Sequence, residues 1–226
     1  MEQIAEVKKG EILMDGNPVE WKKSEGESWA CVLDRVIGKI GDDRTIVKVT
    51  IDGAPATRTL VESLDREDVC LEIMTESTSL LLEEVLSDLV RHIDSLLIVF
   101  GEIGAHLRRG TLGAVFGSTE KNAADGGVYM QGLEGIVATQ VLVEEVGRIE
   151  RQAGHDSFRL SFIEESDRID ALLSGMLKAQ ENQDWILLAD LVEYEILPIL
   201  SRGRSKASEA LSRQIEVLRQ ANRVVA

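Results

Sequence analysis

The 226-residue chain carries 25 basic and 40 acidic residues, a formal net charge of −15. That balance argues against nucleic acid or an anionic membrane held by bulk electrostatics, because both need clustered cations. It fits a well-solvated surface first, and would favour a basic protein partner. Hydrophobic residues make up 44% of the chain, enough for a core, but aromatics only 4%, so Leu, Ile and Val must fill it.

The two cysteines, Cys31 and Cys70, are far apart and form no CxxC pair. Both sit among apolar residues and read as buried free thiols. No basic-then-apolar leader opens the sequence, and no apolar run is long enough for a membrane span, so a cytoplasmic protein is expected.

Residues 1–76 read as a mixed α/β domain. Ile12-Leu13-Met14 is a short strand ended by the turn pair Asp15-Gly16. A helix is predicted from about Glu27 to Ile40, with Trp29, Val32, Leu33, Val36, Ile37 and Ile40 on one face. Ser24 and Glu27 have capping-box spacing, and Gly38 and Gly41 mark its end. Thr45–Ile51 is β-branched and reads as the clearest strand. Asp52-Gly53 turns it, with Thr57–Leu60 as a candidate hairpin partner and Val69–Met74 as a last strand. The order is β-grasp-like.

From Thr78 the apolar period changes from two to about 3.6. Residues 77–226 therefore read as an antiparallel bundle of about five helices, and the whole chain as α+β, with two separable folding units. The first helix, about Ser79–Arg109, carries a stripe from Leu82 to Leu107, with Arg108 and Arg109 in its last turn and Gly110 as its stop. Leu80, Leu81, Ile98 and Val99 fall outside that stripe, so a homodimer through this surface is expected.

Seven glycines interrupt residues 110–135, and the almost wholly polar Ser118–Gly127 reads as a mobile loop. Whether this glycine-rich stretch orders on binding is left open. Helix resumes near Met130 and runs to about Gln152, through Leu133, Val137, Val141, Leu142, Val146 and Ile149. After Gly154-His155-Asp156 another runs from about Ser157 to Gln180, with Phe158, Phe162, Ile169, Leu172, Leu173, Met176 and Leu177 inward. Asp184 caps a helix starting at Trp185, and Pro198 should kink or end it. A last helix is predicted from about Ser205 to Val224. Residues 156–200 hold three basic and ten acidic residues, and residues 202–226 hold six basic and two acidic, so the last helix is expected against the acidic pair before it.

Few residues suggest chemistry. Gly113–Thr119 has glycines followed by hydroxyls but lacks the lysine and the preceding strand of a phosphate loop. His92, His106 and His155 are scattered; the first two are about four helical turns apart, too far to share a metal, and all three read as helix-surface or loop residues. No GxSxG elbow occurs, no catalytic residue or metal ligand is assigned, and no cofactor is expected. The candidate binding residues are Asp190, Glu193 and Tyr194. Asp190 and Glu193, three apart on a helix, share a face as two carboxylates must to bind a cation or divide acid and base roles, whereas Glu195 points elsewhere. The plainer alternative is a solvated face or a set of partners for the basic last helix.

The stretch from Asp184 to Leu200, with its Leu-Ala-Asp-Leu-x-Glu-Tyr-Glu-x-x-Pro pattern, resembles an uncharacterised family of bacterial proteins, as do the Asp-Gly turns after β-branched strands. The resemblance implies no established function. In general outline the amphipathic bundle is also similar to secretion or flagellar export chaperones. The leading reading is a non-catalytic binding or adaptor protein, chaperone-like, acting through amphipathic helix surfaces. The alternatives are an enzyme or small-ligand binder with a pocket between the domains or within the bundle, and a purely structural oligomer.

Overall fold

In the computed structural model, which describes residues 10–24, 26–41, 43–66, 68–117, 127–152 and 157–225, five strands form near the N-terminus. They are β1 (Glu11–Met14), β2 (Asn17–Pro18), β3 (Arg44–Ile51), β4 (Ala54–Pro55) and β5 (Cys70–Ser77). Helix α1 (Trp29–Ile37) lies between β2 and β3, and the short α2 (Arg58–Glu62) between β4 and β5. The sheet order is β2-β1-β5-β3-β4, with β1 and β5 parallel and every other pair antiparallel. First and last strands paired in the centre, with a hairpin on each side, is the β-grasp-like arrangement expected. The chain divides into two compact units, Met1–Leu81 and Leu82–Ala226.

Both hairpins turn on Asp-Gly. Asp15 and Gly16, like Asp52 and Gly53, have positive φ at both central positions, as a two-residue turn between twisted strands requires. Each turn aspartate also reaches β5: Asp15 Oδ1 accepts from Thr75 N at 2.7 Å, and Asp52 Oδ1 accepts from Cys70 N at 3.0 Å. The return strand of the second hairpin is Ala54–Pro55, not Thr57–Leu60. Thr57 has extended backbone and its hydroxyl accepts from Leu60 N, so it caps α2 instead of pairing.

The apolar face of α1 (Trp29, Val32, Leu33 and Val36) packs with Ile12, Ile51, Leu71 and Ile73 of the sheet into one core. The helix starts two residues later than expected, with Ser28 as its cap. The Ser24–Glu27 exchange does form, since Ser24 N donates to Glu27 Oε2 at 2.9 Å, but it closes a turn ahead of the helix. Cys70 is buried as expected; Cys31 is exposed, because it sits on the side of α1 opposite the sheet. Burial, together with Asp52, Glu11 and Glu72, pushes the Cys70 thiol up from its ordinary value.

The helical elements that follow β5 are α3 (Thr78–Arg109), α4 (Leu112–Phe116), α5 (Gly127–Gln152), α6 (Ser157–Glu181), α7 (Trp185–Leu191), a π-turn (Val192–Ile196) and α8 (Leu197–Val225). The expected mobile loop 118–127 falls, except for Gly127, on residues outside those described, as does His155. Among the described residues no helix is long and apolar enough to cross a membrane.

Glycines bring these helices close together. A Cβ on Gly135 of α5 would overlap Leu96 of α3, and one on Gly132 would lie 3.1 Å from both Phe100 and Ile103. Gly175 of α6 faces Leu191, and Gly203 of α8 faces the Phe162 ring of α6. Gly104 of α3 faces Glu193 of the π-turn. One core joins these helices through Leu89, Ile93, Phe100, Ile103, Val146, Met176, Leu188, Val192 and Ile196.

Three expectations about the helices need correction. The two predicted last helices are one rod, since α8 continues through Ser201–Ser205. Pro198 is its second residue, in the first turn, where a missing N–H is tolerated, and Leu197 N donates five residues back to Val192 O. On α5, Val137 and Val141 face solvent, because Gly132, Gly135 and Thr139 occupy the buried side. On α6, Leu177 is likewise exposed. Of the extra apolar residues on α3, Leu80 and Ile98 are exposed, Leu81 is half-buried, and Val99 packs against the core.

Two glycines on the α3–α5 pair should respond with opposite signs. At Gly101 of α3 an added Cβ would meet nothing within 4 Å, so Gly101→Ala should stabilise by about 0.5–1 kcal/mol. Gly135→Ala forces Leu96 aside in a packed seam and should destabilise by about 1–3 kcal/mol. Urea unfolding of both variants measures the difference. A second expectation concerns acid. The N–H and then the hydroxyl of Thr75, with Arg44 beside them, hold the Asp15 carboxyl below its ordinary 3.8. A carboxyl lowered on folding stabilises above its unfolded value, and the gain is lost as pH falls through the lower folded value. Asp15→Asn should therefore cost about 1 kcal/mol at neutral pH. The gap from the parent chain should close between about pH 5 and pH 2.

Candidate functional site

Asp190, Glu193 and Tyr194 lie on the segment joining α7 to α8. Asp184 caps α7, its Oδ1 accepting from Leu187 N at 3.0 Å. Leu188, Ala189 and Val192 then point into the core, which turns Asp190 and Glu193 toward the end of α3. Arg108 meets both carboxylates. Its Nε and Nη2 donate to Glu193 Oε2 at 3.1 and 2.8 Å, and Nη2 also donates to Asp190 Oδ1. Hydrogen bonds to Glu193 and then Asp190 raise the Arg108 pKa further above its already basic value. The shared face read from the three-residue spacing is real, and a single guanidinium occupies it.

The π-turn widens the helix by one residue and spreads the next side chains apart. Glu193 goes to α3, whereas Glu195 faces Arg168 of α6 at 3.7 Å. Tyr194, between them, is 69% exposed. On the same segment Ile186 is 71% exposed, while Trp185 turns inward against Phe116, ring centroids 5.2 Å apart. The arginines that meet the acidic cluster thus come from α3 and α6. Arg204 of α8 instead pairs with Asp94 of α3 at 2.9 Å.

Residues 135–206 match the family model described as Domain of unknown function (DUF8042). No curated protein and no solved structure matches the chain. The matched stretch runs from Gly135, at the α3 seam, to Lys206 of α8, and it contains all three candidate residues. Arg108 lies outside it.

The remaining candidates are structural parts of the helices. His92 is half-buried and spans to α5, where its Nε2 donates to the Gly135 carbonyl at 2.8 Å, so it is a seam residue and not a surface one. His106 Nδ1 lies 2.8 Å from Thr111 Oγ1. Gly113 to Phe116 belong to α4, and Ser118 and Thr119 fall outside the described residues. Among the described residues no group of three or more His, Cys, Asp or Glu could hold a metal ion.

Besides an open groove of about 490 Å³ along the outer face of α5, lined by Val137, Gln140, Val141 and Arg148 among others, two cavities bear on ligand binding. One within the bundle, lined by Ile93, Thr139, Val143, Phe162 and Leu200 among others, has about 30 Å³, room for one or two waters. The other, about 560 Å³, opens beside Trp21 and α1. Two of its three cations are engaged with the wall: Arg35 donates to Lys22 O at 2.8 Å and pairs with Glu27, and Lys39 donates to Glu20 O at 3.2 Å. They tie the irregular stretch before α1 to the helix.

Sequence reasoning assigned Arg108 to the helix dipole and missed its two acidic partners, which lie more than eighty residues away. Arg108→Ala should lower the melting temperature by about 2–4 °C, the upper range for an exposed ion pair in a chain of this size, since two carboxylates lose one cation. Arg108→Lys should recover part of it, because a point charge cannot reproduce the fork. Thermal unfolding at low and high salt separates the two, with the difference shrinking as salt rises.

Proposed function

We propose that the chain is a non-catalytic binding or adaptor protein that acts through helix surfaces, with the α7–π-turn segment as its contact with a protein partner. The observation that carries this reading is the pairing of exposed side chains with neighbouring carboxylates tied to other helices. Tyr194 and Ile186 project into solvent from a segment whose carboxylates are held by arginines of two other helices. Rigid, exposed aromatic and aliphatic side chains serve as anchors at protein interfaces, because little conformational entropy is lost on docking. The surrounding carboxylates would favour a partner with basic flanks, in keeping with the charge of −15.

The packing of the bundle supports binding over catalysis. Asp190 and Glu193 share one guanidinium, and neither lines either cavity described above. The enclosed bundle cavity is far below the roughly 300 Å³ at which small-molecule sites begin, and the larger groove on α5 is open to solvent along its length.

Affinity capture from the native host, with the parent chain and with Tyr194→Ala/Ile186→Ala, tests the reading. The parent should enrich one or a few proteins, and the double variant should lose them at unchanged helicity. Equal recovery by both would remove the α7–π-turn segment from the interface. Recovery of no protein beyond background would overturn the binding role.

A further inference from the structure

The face of α5 turned away from α3 has no partner among the described residues. Along it lie Met130, Glu134, Val137, Val141, Glu144, Glu145 and Arg148, at three- and four-residue steps on one face, with Glu145 already paired to Arg148. Met130 is 44% exposed, Val137 57% and Val141 63%. The cause is the seam behind them: with Gly132, Gly135 and Thr139 turned to α3, the large apolar side chains take the outer side.

We propose that this ridge docks against the same ridge of a second copy of the chain, with the two α5 helices antiparallel about a two-fold axis at Val141. The proposal rests on the reading that helix surfaces carry the role, but it uses a face other than the α7–π-turn segment. The charges select the arrangement. Glu134 and Arg148 each lie seven residues from Val141, on opposite sides. An antiparallel pair therefore sets Glu134 against the second copy's Arg148, twice over. A parallel pair would set Glu134 against Glu134 and Arg148 against Arg148. Glu134 has no hydrogen bond or ion pair among the described residues. Arg148 gives Nε and Nη2 to Glu145 at 2.9 and 2.6 Å, and among the described residues its Nη1 edge meets no other acceptor, which leaves it for a second carboxylate.

The size of the ridge sets the strength. From Met130 to Arg151 it is about 30 Å long. A strip of that length and one helix wide buries less than the roughly 1,000 Å² of a stable interface. The dimer should therefore be weak and depend on concentration, with exchange between one and two chains.

Sedimentation equilibrium of the full chain, from about 5 to 500 µM, tests it. The mass should rise from 24.9 kDa toward twice that value. Val141→Glu should hold it at one chain with the circular dichroism unchanged. Glu134→Arg should raise the dissociation constant about tenfold, and Glu134→Arg/Arg148→Glu should bring it back to within about threefold. Ile98→Glu, on α3, should leave association as it was. A single-chain mass at every concentration overturns the proposal, and so does association lost in Ile98→Glu or retained in Val141→Glu. A single-chain mass leaves the binding role standing if the capture experiment still returns a partner through Tyr194 and Ile186.

Discussion

The close approach of α5 to α3 is the constraint from which the rest of the helical unit follows. Two glycines three residues apart let the α5 backbone settle against Leu96, Phe100 and Ile103. Glycine inside a helix costs roughly 0.5–1 kcal/mol relative to alanine. Here the cost is offset by burying three large side chains, each contributing about 1.5–3 kcal/mol. The seam also places His92 within reach of the Gly135 carbonyl, a polar group that closes one end of the contact. α3 makes the same kind of contact with its other neighbours, where Gly104 admits Glu193 and Ile93 lies near Gly203. It is the spine of the unit, and each of these helices meets it through a residue without a side chain or across from one.

Much of this was legible in the sequence, because local physics decides it. The long apolar stripe of α3, its stop at Gly110, the two Asp-Gly turns and the Asp184 cap are all set by neighbours within a few residues. What was not legible depends on partners far along the chain. Val137 and Val141 looked like core positions because apolar side chains on a helix usually are. They face outward because the glycines claim the inner side, and a glycine gives no hydrophobic signal. The return strands β2 and β4 are two residues each, too short for any period to show.

The candidate site divides in the same way. That Asp190 and Glu193 share a face is a matter of helical spacing. That Arg108 fills that face is a matter of tertiary packing, and so is the pairing of Glu195 with Arg168. Segment charge placed α8 against the acidic helices before it, and α8 does lie on α6, with Gly203 on Phe162 and Lys206 on Ser161; the carboxylates of this cluster nonetheless take arginines of α3 and α6, for a physical reason. Exposed ion pairs contribute roughly 0–1 kcal/mol, so they follow the geometry that apolar burial has already set. The π-turn was hidden as well. Pro198 signals a break in helical hydrogen bonding, but whether the chain ends, kinks or widens there is decided by the core residues on either side, Val192 and Ile196 before it and Ile199 and Leu200 after.

The edges of the sheet have a different kind of consequence. Both outermost strands are two residues long and both end on proline, Pro18 on one side and Pro55 on the other. Proline offers no N–H to an incoming strand, and a two-residue edge gives no template on which to register one. Growth of the sheet at β2 or β4 is therefore disfavoured. Among the described residues the edge left open is that of β3 ahead of Val49, and the irregularity between Ile46 and Lys48 there breaks the flat register that an incoming strand would need.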